Sequence, residues 1–342
     1  MAEFTLKFHG TGNAWPVMLG DEHPFYDRHN CRDLSNAAFS LLLKEGAEVR
    51  YEVLIDAGHG TIQSLLSSTN RIPEAICLTH GHLDHTLSVD WVVQSFYRQH
   101  QKKRRYPVYC TRLVFETLVA SYPHLEQMIT FYELLFGVSR RVGGTDLRVT
   151  AFPVYHGPHA RGASMLLFQR ESAKVLMTGD LLTPLLREQD FPLLEGAAWL
   201  ISDSNNRFPY PGSNHWSIVG ATSDTGEDQL SAFTRTMDAD LLTAPHKKVG
   251  SFGNNNGYFS EWLHGYDPFR QHLCLVDFHH RINPRNTALV HYSGTEDERY
   301  YGEPRLTREE LKAWAGRYIP GTEGVGACVV PAAGDEVPVE GS

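Results

Sequence analysis

Apolar and polar positions alternate in short blocks along the first third of the chain, which predicts strands over residues 4–9, 37–43 and 50–55 between stretches rich in Gly, Asn and Asp. A short helix is expected over 61–68. The apolar run 75–78 has the length and Ile/Leu content of a buried strand. It is followed by a helical spacing of apolar residues at Leu87, Val89, Trp91, Val92, Val93, Phe96 and Tyr97. Further strands are predicted over 108–110, 147–155, 164–168, 174–178, 198–202 and 288–291, with helices over 111–122, 124–136 and 227–237. Thr307 and Glu310 form a capping-box pattern that starts a helix running to Tyr318. The Gly/Pro/Glu-rich end after Ala332 is expected to fray. Strands and helices mix from end to end without a repeat or a long linker. That describes one α/β domain over residues 1–342. The irregular stretches 205–214 and 249–280 are rich in Gly, Asn, aromatic and His residues and read as functional loops, so an insertion is expected at about 205–284.

The composition, 42% hydrophobic and 21% charged over 342 residues, is that of a globular protein able to bury a sizeable core. No apolar run approaches the roughly 18 to 20 residues that span a bilayer. The polar start lacks the apolar core of a secretory signal, so the expectation is a cytoplasmic protein with no membrane contact. Five scattered cysteines, Cys31, Cys77, Cys110, Cys274 and Cys328, form no Cys-x-x-Cys pair and argue against a disulfide framework or a thiolate zinc site. A net charge of -9 disfavours long nucleic acid and points to a small-molecule substrate. The cationic run 102–105 reads as a solvated helix end. A homodimer is left open. Eighteen histidines are the unusual count, and such a surplus marks metal chemistry or pH sensing.

Six consecutive residues concentrate the chemistry. His80-Gly-His-Leu-Asp-His85 places three imidazoles and a carboxylate on one strand-to-helix loop, all of them ligand types for zinc or a similar divalent ion. His80 and His82, two apart on an extended turn, can point to one ion. Asp84 and His85, adjacent at the helix entry, can face a second.

This run resembles the signature of the metallo-β-lactamase superfamily, and other landmarks of that family follow in order. Asp56, in a Leu-Ile-Asp-Ala-Gly-His-Gly-Thr stretch, matches a strand-end Asp that orients the ligand loop. His156 matches the third imidazole of the first ion, Asp180 the bridging carboxylate, and His291 the last imidazole of the second ion. The resemblance implies a four-layer αβ/βα sandwich and two divalent metal ions, with zinc expected and manganese or iron as alternatives. His80, His82 and His156 would hold the first ion, Asp84, His85 and His291 the second, and Asp180 would bridge them.

The Phe8-His-Gly-Thr-Gly-Asn13 opening and the second-ion set are similar to the tRNase Z branch, while His-Leu-Asp-His is close to the cyclic-nucleotide phosphodiesterase version. The resemblance therefore implies hydrolysis of a phosphodiester in a small molecule or nucleotide by a metal-bridging hydroxide, with Asp84 also able to accept a proton. Two other readings stand beside it: hydrolysis of a carboxylic ester, lactone or lactam, and a non-hydrolytic metal-binding accessory role in a biosynthetic pathway. Where tRNase Z carries a His-Glu-Ala-Thr-like run, this chain has Ser202-Asp-Ser-Asn205, lacking both the His and the Glu. His215, in Asn214-His-Trp-Ser217, is then the candidate general acid or phosphate contact. Arg207, Tyr210, Trp216 and the stretch 247–257 are candidate pocket lining. His246 is a rival to His291 as the last ligand. His279 and His280 are read as structural.

Overall fold

The computed structural model describes residues 3–210, 213–220, 256–263, 274–319 and 327–340. Two sheets form its centre. The first runs in the order β15-β1-β2-β3-β4-β5-β6, built from β1 (Glu3–Gly10), β2 (Ala38–Glu45), β3 (Glu48–Ile55), β4 (Ala75–Cys77), β5 (Tyr106–Cys110), β6 (Ile129–Glu133) and β15 (Glu336–Pro338). β1, β2 and β3 pair antiparallel, and β3 to β6 continue in parallel. The second sheet comprises β7 (Arg140–Arg141), β8 (Arg148–Tyr155), β9 (Ser164–Arg170), β10 (Ala173–Met177), β11 (Thr183–Pro184), β12 (Trp199–Asp203), β13 (Asn286–Val290) and β14 (Ala327–Val329). Its order is β11-β8-β9-β10-β12-β13-β14, with β7 paired to β8.

Strand side chains alternate between faces, and that alternation builds the layers. Val53 and Ile55 of β3, Val175 and Met177 of β10, and Ala288 and Val290 of β13 enter one core between the two sheets. Their neighbours face outward. Leu54, Ile76 and Val108 pack under the helices Thr61–Ser68, Val89–Gln99 and Arg112–Ser121. Leu176, Leu200 and Leu289 pack under Leu275–Ile282 and Arg308–Ala315. The result is the four-layer αβ/βα sandwich expected from the sequence.

Three expectations need correction. Residues 129–133 form a strand rather than the second half of a helix over 124–136, and only Pro123–Met128 makes a 3-10 turn. Ile-Thr-Phe-Tyr is rich in β-branched and aromatic residues that fit a half-buried pleated surface, and pairing with β5 outweighs the helical spacing. The end after Ala332 does not fray as a whole, because β15 pairs with β1 through Thr5, Leu6 and Lys7. Within the stretch read as loop, helices occupy Tyr258–Leu263 and Leu275–Ile282. The helix expected over 227–237 and His246 lie outside the described residues, as does most of the expected insertion.

Candidate metal centre

The strands deliver their site residues at one end of the sandwich. Asp56 follows β3 and His291 follows β13, and both take left-handed backbone, φ 55° and 64°, which turns each side chain out of its strand direction. His156 follows β8, and Asp180 lies just beyond β10. Between β10 and Asp180, Gly179 also has positive φ, and a Cβ there would lie 2.8 Å from that of Thr79. Gly58 is required for a different reason: its Cβ would overlap the Asp84 carbonyl oxygen at 1.7 Å, so its absence lets the two loops meet.

Among the described residues four overlapping groups of ligand atoms form, two holding the sequence candidates and two adding His215. His80, His82 and His156 make the first, and Asp84, His85, Asp180 and His291 make the second, with atoms inside each group within 4.8 Å of one another. Asp180 joins them. Its Oδ2 lies 3.2 Å from His291 Nε2, 3.3 Å from His85 Nε2, 3.7 Å from His156 Nε2 and 3.9 Å from His80 Nε2. Asp84 Oδ2 is 3.5 Å from both His85 Nε2 and His291 Nε2. The seven residues singled out from the sequence are therefore brought together.

Their backs are held by other groups. Asp56 accepts hydrogen bonds from the Thr79 amide at 2.8 Å and hydroxyl at 2.7 Å, and from His85 Nδ1 at 2.8 Å. His156 Nδ1 donates to the Asn214 carbonyl at 2.7 Å. Such partners set which ring nitrogen faces the centre. In three cases that nitrogen is buried with no hydrogen-bond partner: Nε2 of His80, of His85 and of His291. Buried polar atoms are normally satisfied, so convergent orphan imidazole nitrogens beside two carboxylates fit a divalent cation.

The electrostatics differ between the groups. Burial, reinforced by the neighbouring imidazoles, pushes His80 well below the usual imidazole range, and burial with His215 pushes His156 down to about 3. Burial also disfavours charge on His85, but Asp180, Asp84 and Asp56 reverse that and hold it well above the usual range. Burial would raise the Asp180 carboxyl, yet His291 and His85 hold it well below the usual carboxylate range.

His215 also belongs here. Its ring lies 4.8 Å from that of His156 and stacks 5.1 Å from that of His291. Its Nδ1 donates to Asp203 Oδ2 at 2.7 Å. Burial pushes this imidazole down, but the adjacent Asp203 carboxylate outweighs it and raises His215 to about 9. Asp203 is the residue that motif matching passes over: besides its bond to His215, its Oδ1 lies 3.7 Å from His291 Nδ1, beyond hydrogen-bond range but near enough for its charge to act. The signal available was its place, a third Asp at the end of an apolar strand, as with Asp56 and Asp180.

The other candidates fall elsewhere. Arg207 is buried in an ion pair with Asp297 at 3.0 Å, and Trp216 is buried with its Nε1 donating to the Asp203 carbonyl. Tyr210 stacks on Tyr300 at 5.9 Å. Neither these three nor Asn256 and Gly257 line the cavity over the cluster, while residues 247–255 lie outside the described residues. His279 bonds Thr287 Oγ1 at 2.9 Å, in keeping with a structural role. The cavity, about 760 Å³, is lined by His82, Asp84, His156, Asp180, His215 and His291 together with Ala14, Trp15, Asn36, His59, Leu83, Leu87 and Asn214. A larger cavity of about 930 Å³ opens among Arg71, Trp91, Phe96 and Tyr132 and contains none of the cluster.

Known proteins share this frame. A family model described as a beta-lactamase superfamily domain matches residues 51–227, just over half of the chain. No curated protein matches the sequence. Among solved structures, a diphosphatase of the PhnP family superposes with a TM-score of 0.62 at 16% identity, covering 99% of this chain and 98% of its own. The short form of human tRNase Z gives 0.53 at 13%, with 98% and 99% covered. Zinc-bound PqqB from Methylobacterium extorquens gives 0.55 at 11%, with 97% and 99% covered.

Proposed function

The chain belongs to the metallo-β-lactamase superfamily, and from that premise we propose that it is a dinuclear metal-dependent hydrolase of a phosphodiester in a small molecule or nucleotide. One observation carries the reading: a single carboxylate oxygen, Asp180 Oδ2, sits between two ligand groups, within 3.9 Å of four imidazoles. His80, His82 and His156 would hold one ion and Asp84, His85 and His291 the other, with Asp180 shared. Bound there, divalent ions, zinc first among the candidates, supply Lewis-acid polarisation and acidify water toward neutral pH.

The remaining chemistry belongs to the chain. Phosphodiester hydrolysis ends with an alkoxide or phenoxide that needs a proton. His215 lines the cavity, and its bond to Asp203 occupies Nδ1 and favours the protonated ring. It is the general acid of this reading, delivering its proton from Nε2. Asp203 orients and charges it. Asp84, which lines the cavity, would accept the proton of the attacking water. The diphosphatase and tRNase Z that share the fold fit phosphorus-centred chemistry.

The test is turnover of bis(p-nitrophenyl) phosphate by protein reconstituted in turn with zinc, manganese and iron(II), with an activated carboxylic ester run in parallel. Phosphodiester turnover that is lost to chelator and restored by metal is the expected result. Turnover of the ester alone would overturn the phosphodiester reading, and silence on both would overturn the hydrolase.

A further inference from the structure

Three side chains of the cavity have no part in the cluster and are unlike it. Trp15 is 74% exposed, Leu83 57% and Leu87 47%, and all three line the space over the metal-ligand groups. Single exposed apolar residues are ordinary, but several on one concave wall mark a contact surface. Their positions are set by the cluster itself. Leu83 lies in the chain between His82 and Asp84, and the Leu87 amide donates to the Leu83 carbonyl at 2.8 Å, so the two leucines share one helical face. Trp15 follows the segment that ties β1 to the far sheet: Gly12 bridges both Asn36 and Tyr292, and the Trp15 amide donates to Asn13 Oδ1 at 3.0 Å.

We infer that this wall receives a planar aromatic ester group of the substrate, an aryl ring or a base, while the cluster takes the phosphoryl group; the inference rests on the hydrolase reading above. The occupant follows from continuity: the apolar wall and the ligand atoms bound the same cavity, so a phosphoryl group held at His82, Asp84 and Asp180 has Trp15 and Leu87 within the space open to its ester substituent. An indole offers a flat face on which rings stack, and burial of the two leucines' exposed surface adds to it. Among the described residues the cavity has no Lys or Arg lining.

The experiment uses two phosphinates whose P–C bonds cannot be hydrolysed, diphenylphosphinate and dimethylphosphinate, titrated calorimetrically into the full chain reconstituted with zinc or manganese. Both present the same anionic oxygens, and only one carries rings. The expected result is diphenylphosphinate binding about tenfold more tightly or better, the scale of aromatic stacking. In Trp15→Ala that ratio should fall toward one, and in Trp15→Phe it should be largely kept. Because Trp15 is exposed, its loss leaves the core intact. Equal affinity for the two probes, or a ratio that survives in Trp15→Ala, overturns the aromatic wall while leaving the hydrolase reading standing. If neither phosphinate binds the metal-loaded protein but both groups are occupied, the phosphoryl-binding premise falls first and the wall with it.

Discussion

The two ligand groups solve the same problem with different materials. The first is three imidazoles, His80, His82 and His156, with burial pressing all three toward the neutral form. The second combines two imidazoles with two carboxylates, and further buried carboxylates stand behind it: Asp56 against His85 and Asp203 against His291. A neutral group offers lone pairs and little charge. A group of this carboxylate density demands a cation, which is why His85 is held toward its protonated form once burial has been outweighed. The lesson is that, among the described residues, Asp180 is the one carboxylate within 4.0 Å of the first group's imidazole nitrogens, with Asp84 acting on His82 from farther off, whereas the second group has both Asp84 and Asp180 at that range.

The sharpest way to break this comparison is at the shared residue. Asp180→Ala should lose phosphodiester turnover altogether, and the first group should lose its metal more completely than the second. Metal content by mass spectrometry of the native protein checks it, and full occupancy of two ions would end the assignment of Asp180 as the bridge. Next in size is His82→Ala. This residue is half-buried at the cavity and belongs to the first group alone, so one ion per chain should be lost and one retained. Retention of both would show that the groups are not separate sites.

How much of this was readable beforehand differs between the groups in the same way. Four of the seven proposed ligands lie within six residues, and contiguity makes such a run visible without any fold. His156, Asp180 and His291 are single residues at strand ends, legible only through the order of a family's landmarks. Asp203 was not legible by that route, because matching sought a His and a Glu and the chain supplies a shorter acid whose His partner, His215, comes twelve residues later. The layered fold was readable because strand alternation separates Val53 and Ile55 from Leu54, and Val175 and Met177 from Leu176, by simple parity. Residues 129–133 misled because parity and helical spacing overlap in a short apolar run, and only the partner strand decides between them.

Asp203 gives the third prediction, intermediate in size. Asp203→Asn keeps the shape but removes the charge that lifts His215 against its burial. The rate should fall by about 10²-fold, the lower range for a lost general acid. The sign of the accompanying pH change is fixed: activity that needs protonated His215 extends up to the pKa of that ring, about 9 with Asp203 present. Without the carboxylate, burial lowers the ring's pKa, so the alkaline limb of kcat should move to lower pH. An unmoved limb would separate His215 from proton transfer.

A smaller effect is expected behind the second group. Asp56→Asn leaves every proposed ligand in place but weakens the acceptor for His85 Nδ1 and for the Thr79 amide and hydroxyl. Metal affinity should drop about 10- to 100-fold in the second group and much less in the first. Equal loss in both would show that Asp56 supports the loop as a whole rather than the second group.

The smallest effect tests whether burial and a depressed pKa suffice to make a ligand. His279 shares both properties with the first group: burial, with His280 nearby, pushes it down to about 4. It differs in its place: its Nδ1 meets Thr287 Oγ1 at 2.9 Å, away from the cluster, and it belongs to neither group. His279→Gln should therefore leave metal content unchanged and alter only stability. The folded state resists protonation of His279 down to about pH 4, whereas the unfolded chain takes up a proton near its ordinary value of 6.5, so the unfolded state binds more protons between the two. Stability from this residue is thus full above about pH 6.5 and falls as the pH drops toward 4, by at most about 3 kcal/mol. Urea denaturation of metal-free protein across that window should show a shallower acid decline in His279→Gln than in the parent. A decline of the same slope would mean that His279 is already protonated when folded, and that its contact with Thr287, rather than its burial, sets its charge.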